Sequence, residues 1–447
     1  MRLKLKIFSF WLVIAMSSLV VSTASAQGAG VASPVTREKA IIKNNPFQLK
    51  NEGFSGMIDI FAGYDSNINY AAGDSTSIYE GTVGGLAFLL NPSIRFTTSD
   101  LSKRFNSSSK LAYGVEASIL YRQYYNTATV DNIFNEPRFG ASLGGELYYK
   151  PSDNFKIQLF EKGTRYSEPH YLFSDTYTQT WYQNALGIGM LVVPGGGLLE
   201  MVLRYELNLN IFEDATLSAG NRMGHRFGFR ASYKFFPYTM VWFSTTYDIW
   251  SYFDNSARGS MPLRLYGGVS TPITTSLALT LGGGYGWGFY NSGNSPSTWL
   301  ALGSLTYTLV NKLKLGFNYN HTFEDSVIGS FSDEQNFSLT AYYQPYRTIL
   351  FQSSLGFRLM NYYDIYYENG GTGDSTRTDT ILYATFSGQY RFSNNLTFGV
   401  NYRFMMDSTP YRVTTSVQTI YPDSAGSIVN NPSYMKHEIF LTGTYYF

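Results

Sequence analysis

The sequence predicts an all-β protein, a transmembrane antiparallel up-and-down β-barrel of about 18 strands with both termini in the periplasm. Three observations carry this: composition, side-chain alternation and the two lengths of connection between segments. Aromatic residues make up 17% of the chain and charged residues only 15%, against roughly 25% charged in a soluble domain. Mean hydropathy is nonetheless −0.15. An aromatic-rich, charge-poor and mildly polar chain suits strands that face lipid on one side and water on the other.

Alternation sets the faces. Successive strand side chains point to opposite sides. In Leu199–Ile211 the odd positions are Leu199, Met201, Leu203, Tyr205, Leu207, Leu209 and Ile211, and the even ones include Glu200, Arg204, Glu206, Asn208 and Asn210. Phe227–Phe235, Leu313–Tyr319 and Leu396–Phe404 repeat the pattern. A basic side chain at the bilayer midplane costs roughly 2–4 kcal/mol on the lipid face. The charged positions therefore belong to the interior.

The connections alternate between tight and long. Tight ones hold turn-forming residues, as in Pro151-Ser-Asp-Asn154, Pro194-Gly-Gly-Gly197 and Ser393-Asn-Asn395. Long, more acidic ones fall at 128–136, 213–221, 324–334, 368–379 and 407–433. Short periplasmic turns and long external loops are the layout of an outer-membrane barrel. A spanning helix is not expected: Ala185 to Leu203 is broken by Pro194-Gly-Gly-Gly197 and contains Glu200.

In chain order, residues 1–26 read as a signal peptide. Arg2, Lys4 and Lys6 precede the apolar stretch Ile7 to Val21, and Ala24-Ser25-Ala26 forms a small-residue cleavage site. Residues 27–53 read as a short periplasmic segment, and 54–447 as the barrel. With no cysteine, disulfides cannot support the exported protein. The first strand is expected near Phe54–Tyr64 and the last at Lys436–Phe447. That last strand places Phe447, Tyr445, Gly443, Leu441 and Ile439 on one face, with Glu438 on the other. Its terminal aromatic resembles the signal that outer-membrane barrels present to the β-barrel assembly machinery.

The interior basic residues read from the clean strands are Arg122, Arg204, Arg226, Arg230, Lys234, Lys314, Arg358 and Arg403. Their acidic counterparts are Glu116, Glu146, Glu200, Glu206 and Glu438, so eight basic against five acidic groups leave an excess of three. A low-dielectric wall focuses such a field and favours anions. Arg226, Arg230 and Lys234 beside Arg204 form the best local candidate, against the alternative that they pair with Glu200 and Glu206 on the neighbouring strand. The glycines Gly282, Gly283, Gly284, Gly286 and Gly288 leave room either for cargo or an inward loop, or, as the simpler reading, for aromatic rings packing across strands. Tyr148, Tyr149, Trp181 and Tyr362 are expected in the aromatic girdle. His321 with Glu324 and Asp325 is a weak catalytic arrangement, so an enzyme is not expected, nor any cofactor, metal site or nucleic-acid partner.

The first strand ends in Phe61-Ala-Gly-Tyr-Asp-Ser-Asn-Ile-Asn-Tyr70. This resembles the opening strand of the β-barrel porin 2 family, with its glycine-Tyr-Asp-x-Asn signature after the periplasmic lead-in. The resemblance implies an association with exopolysaccharide synthesis, and implies that Asp65 and Asn67 organise the first external turn rather than touch substrate. The expected function is a conduit exporting an anionic exopolysaccharide, embedded in outer-membrane lipid and working with a periplasmic polysaccharide export protein. A general anion-preferring diffusion porin and a sheath around a periplasmic partner complex are the alternatives.

Overall fold

The computed structural model describes residues 53–68, 82–98, 110–126, 135, 137–166, 180–194, 197–213, 218, 220–236, 238–253, 258–291, 295–309, 312–326, 329–364, 376–410, 413–416, 427–430 and 433–447. The expected signal peptide, 1–26, and nearly all of the expected periplasmic lead-in, 27–53, lie outside these residues.

The strands are β1 (Gly53–Asp65), β2 (Gly85–Thr97), β3 (Leu111–Tyr125), β4 (Arg138–Ser152), β5 (Phe155–Tyr166) and β6 (Trp181–Val192). They continue with β7 (Leu199–Phe212), β8 (Arg222–Lys234), β9 (Met240–Tyr252), β10 (Leu263–Pro272), β11 (Leu277–Trp287) and β12 (Ser297–Leu309). The last eight are β13 (Leu313–Asp325), β14 (Phe331–Tyr346), β15 (Ile349–Tyr363), β16 (Thr376–Arg391), β17 (Leu396–Ser408), β18 (Val413–Ser416), β19 (Ser427–Asn430) and β20 (Tyr434–Tyr446). All but β18 and β19 form one 18-stranded antiparallel sheet in which each strand pairs with the next along the chain. β1 also pairs with β20, from Met57↔Tyr446 to Asp65↔Glu438, and closes the barrel. β18 and β19 form a separate two-stranded ladder inside the connection from β17 to β20, which the sequence reading had as loop.

Ala185 to Leu203 is divided between β6 and β7, and among the described residues no helix is long and apolar enough to cross a membrane. Prolines mark where ladders change step, because a residue without N–H cannot donate to its neighbour. The β4–β5 register shifts between Tyr149 and Ser152, around Pro151, and the β14–β15 register between Tyr343 and Tyr346, around Pro345. Pro92 interrupts the β2–β3 ladder between Leu90↔Tyr121 and Ser93↔Ser118.

The two faces have the predicted chemistry. Leu203, Phe227, Phe243, Leu281, Leu339 and Leu441 are exposed on the outside, whereas Glu146, Asp248, Arg264, Asp379 and Glu438 are buried. On β20, Ile439, Leu441, Tyr445 and Phe447 are all exposed and Glu438 points to the interior, as alternation requires. Phe447 exchanges two backbone hydrogen bonds of 3.0 Å with Gly56. Two of the four expected girdle residues are instead interior. Tyr148 accepts a hydrogen bond from Gln158 Nε2 at 2.8 Å, and the Tyr362 ring lies beneath the Arg377 guanidinium, with both residues buried. Each stands at an even position on a strand whose even face turns inward.

Candidate functional site in the barrel lumen

Among the described residues, three regions of the interior stand out. The first is the seam, where β1 meets β20. Asp65 and Asn67 are fully buried. The Asn67 backbone N–H donates to Asp65 Oδ1 at 3.0 Å, the local turn that Asp and Asn side chains favour. Lys436 Nζ donates to Asp65 Oδ2 at 2.7 Å and to the Asn67 carbonyl at 2.9 Å. Asn67 Nδ2 in turn donates to the Met435 carbonyl at 2.9 Å. These two motif residues thus join the start of the barrel to its end.

The second region is a charged network on β8, β9, β10 and β13. Arg226 makes a two-point contact with Asp248, at 2.7 and 3.1 Å, and Arg264 takes the second oxygen of the same carboxylate. Arg264 Nη1 also donates to the Phe323 carbonyl and to Glu324 Oε1, both at 3.1 Å. Asp325 accepts from Tyr252 at 2.6 Å, from Ser260 and from Arg222. At strand spacings of about 4.8 Å, β10 lies roughly 14 Å and β8 roughly 24 Å from β13 along the wall. The second separation exceeds what an arginine and an aspartate span together, so the end of β13 stands inward of the wall.

The ladders show how it leaves. β12 pairs with β13 only as far as Ala301↔His321, although Ser297–Leu300 remain paired with β11. The last residues of β13 stay paired with β14, out to Asp325↔Phe331. Phe323 enters the space left by glycine on β11: a Cβ built on Gly286 would lie 2.1 Å from Phe323 Cε1. With Trp242, Tyr266 and Leu300, Phe323 forms a buried aromatic and aliphatic cluster inside the barrel. Gly282 likewise makes room for the Trp242 ring. The glycines serve ring packing, and through Phe323 they also seat an inward-standing segment.

The third region is a cavity of about 370 Å³. Thr340, Gln352, Ser354, Thr385, Ser387 and Asn401, on β14–β17, give it a wall of hydroxyls and amides. The rest of the lining includes Phe61, Leu89 and Phe440 with Arg122, Arg403 and Glu438. The Phe61 and Phe440 rings meet edge to face, centroids 6.3 Å apart. Arg403 Nη2 donates to Glu438 Oε1 at 2.7 Å, and Arg122 Nη1 donates to the Tyr124 hydroxyl at 3.1 Å.

The structure disperses the eight basic residues read from sequence. Arg122 and Arg403 line the cavity. Arg226 belongs to the charged network. Arg204 pairs with Glu206 on its own strand at 2.9 Å and lies over the Phe160 ring. Arg230 donates to Ser232 and lies over Trp242. Arg358 meets Glu334 at 3.1 Å. Lys314 is half-buried and Lys234 exposed, both near the ends of their strands that carry short turns. Arg226 therefore pairs with Asp248 on β9, and neither with Glu200 nor with Glu206. The excess of three does not describe the interior, which also holds the acidic Asp248, Glu324, Asp325, Glu334 and Asp379 and the basic Arg222, Arg264, Arg377 and Lys436. His321 contacts Asp333 at 2.7 Å instead of joining Glu324 and Asp325.

Sequence reasoning missed Asp248, Arg264, Tyr252 and Lys436. The first two carry the same signal as the residues it found: Arg264 alternates with Leu263 and Leu265, and Asp248 with Tyr247 and Ile249.

A closed barrel with an apolar exterior and a charged, hydrogen-bonded interior has the construction of a transmembrane β-barrel. No family model matches the chain, and no curated protein matches it. Among solved structures it is similar to the siderophore receptor PirA from Acinetobacter baumannii, with 11% identity, TM-score 0.43, and 90% of this chain and 81% of that one covered. It is also similar to OccAB4 of Acinetobacter baumannii, with 11% identity, TM-score 0.42 and coverage of 90% and 100%. A ferric enterobactin receptor from Pseudomonas aeruginosa gives 9% identity, TM-score 0.46 and coverage of 90% and 81%.

Proposed function

We propose that this protein is an outer-membrane channel that passes an exopolysaccharide bearing anionic groups. The cavity carries the reading. A sugar ring presents hydroxyls at its edge and C–H groups on its faces. The Thr340, Gln352, Ser354, Thr385, Ser387 and Asn401 wall suits the edges, and the Phe61–Phe440 pair suits the faces. Arg122 and Arg403 against Glu438 leave one net positive charge on the lining (2 − 1 = +1). Charge-assisted bonds from guanidinium to carboxylate or sulfate are among the stronger hydrogen bonds. The apolar exterior supports a bilayer location, and the Gly63-Tyr-Asp-x-Asn67 motif supports the exopolysaccharide association. A periplasmic export protein would then deliver the polymer to the end of the barrel where Gly53 and Phe447 lie.

Deleting the protein is expected to remove surface polymer while its synthesis continues. Normal surface polymer in the deletion strain would overturn the export reading.

The same lining charge favours a second reading, a diffusion porin for small anions. It predicts stable, anion-selective conductance in planar bilayers together with unchanged surface polymer in the deletion strain.

A further inference from the structure

We propose that the end of β13, Thr322 to Ser326, is a displaceable obstruction held across the lumen by Asp325, and that its release widens the passage. This rests on the channel reading for its consequence, though not for its detection.

Three observations combine. First, the segment has given up its ladder with β12, so one of its edges is not built into the wall. Second, the bonds that hold it come from distant strands and converge on a short stretch. Tyr266 donates to Thr322 Oγ1 at 3.3 Å, Arg264 binds the Phe323 carbonyl and Glu324, and Tyr252, Ser260 and Arg222 all bind Asp325. The Tyr252 hydroxyl also lies 3.0 Å from the Ser326 carbonyl. Third, the apolar seat is a recess opened by glycine, into which Phe323 fits from the lumen side.

Such a segment has a specific weak point. A strand bound along both edges opens only with the sheet, whereas one paired along a single edge, here with β14, and otherwise held by side chains swings away with that neighbour when those contacts fail, at a free energy below that of global unfolding. Asp325 is the positioning residue because three donors meet on its carboxylate. Losing it removes all three contacts and leaves Arg222 without its carboxylate.

The absence of cysteine from the chain makes the test clean. Leu300, fully buried in the cluster with Phe323, is replaced by cysteine, and its modification by a water-soluble maleimide is timed in folded, detergent-solubilised protein. Adding Asp325→Ala is expected to speed labelling by about tenfold or more, while Arg204→Ala, which breaks an ion pair on β7, leaves the rate unchanged. Equal rates with and without Asp325→Ala would overturn the proposal, as would equal acceleration by Arg204→Ala. If Asp325→Ala does not fold, Tyr252→Phe with Ser260→Ala removes two donors without stranding a charge, and must also accelerate labelling. Conductance is measured in parallel. Larger single-channel steps in Asp325→Ala are expected, and unchanged steps would overturn the widening. Silent bilayers for both proteins would sink the channel reading while leaving the labelling result to decide the obstruction.

Discussion

Lys436 on the last strand reaches Asp65 on the first, Nζ to Oδ2 at 2.7 Å, with both side chains withheld from solvent. The pair sits at the ring closure, beside the β1–β20 register Asp65↔Glu438. An ion pair there favours this closure, because another register would draw Lys436 away from Asp65. Removing one member of a buried pair typically costs about 3–5 kcal/mol, while replacing both with apolar residues of similar volume is often neutral. Asp65→Ala is therefore expected to lower the unfolding midpoint in urea strongly, and Asp65→Leu with Lys436→Met to recover most of the loss. A double variant as unstable as Asp65→Ala would mean the pair is not the cause.

Gly286 and Phe323 should be coupled. A methyl group on Gly286 meets the phenyl ring at 2.1 Å, and overpacking of this kind costs about 1–3 kcal/mol. Gly286→Ala is expected to destabilise the protein by that amount, and to do so far less in a Phe323→Leu background. A double-mutant cycle with no interaction energy would refute the seating of Phe323 against β11.

Selectivity should follow the cavity and not the charged network. Arg403→Gln removes a positive charge from the lining, so the reversal potential under a salt gradient should move toward that of an unselective pore. Arg226→Gln should leave selectivity nearly unchanged and lower stability instead, since Arg226 lies outside the cavity lining and pairs with the buried Asp248 at 2.7 Å. If Arg226→Gln abolished selectivity, the anion-discriminating residues would lie on β8.

The seam also depends on Gly56. A Cβ there would lie 2.2 Å from the Phe447 ring, and Gly56 exchanges both backbone hydrogen bonds with Phe447. Gly56→Val is expected to reduce the fraction of barrel that keeps its folded electrophoretic mobility without heating, and Gly56→Ala to do so more mildly. Unchanged mobility in both would show that the ring moves aside freely.

Particular residues show how much could be read in advance. The alternation of Leu199–Ile211 placed Arg204 and Glu206 inside, and the 2.9 Å contact between them confirms that they share a face. The assignment of Asp65 and Asn67 to turn formation came from resemblance, and the Asx turn fits it. Applied equally to Met240–Tyr252 and Leu263–Pro272, the same alternation would have brought in Asp248 and Arg264. It could not have shown that they meet Arg226 and Glu324. Nor could it have separated Arg403, beside a cavity, from Arg230, packed over Trp242.

The sequence by itself determined which side of the cleanly alternating strands faces outward and that about 18 strands follow one another, because period-two alternation and turn chemistry are local properties of the chain. Only the tertiary structure decided which charges meet and where space remains. Arg222 and Asp325 are 103 residues apart, and Lys436 and Asp65 are 371 apart. Contacts at such separations depend on the curvature of the closed wall and on how far one strand end leans inward. No local pattern encodes either.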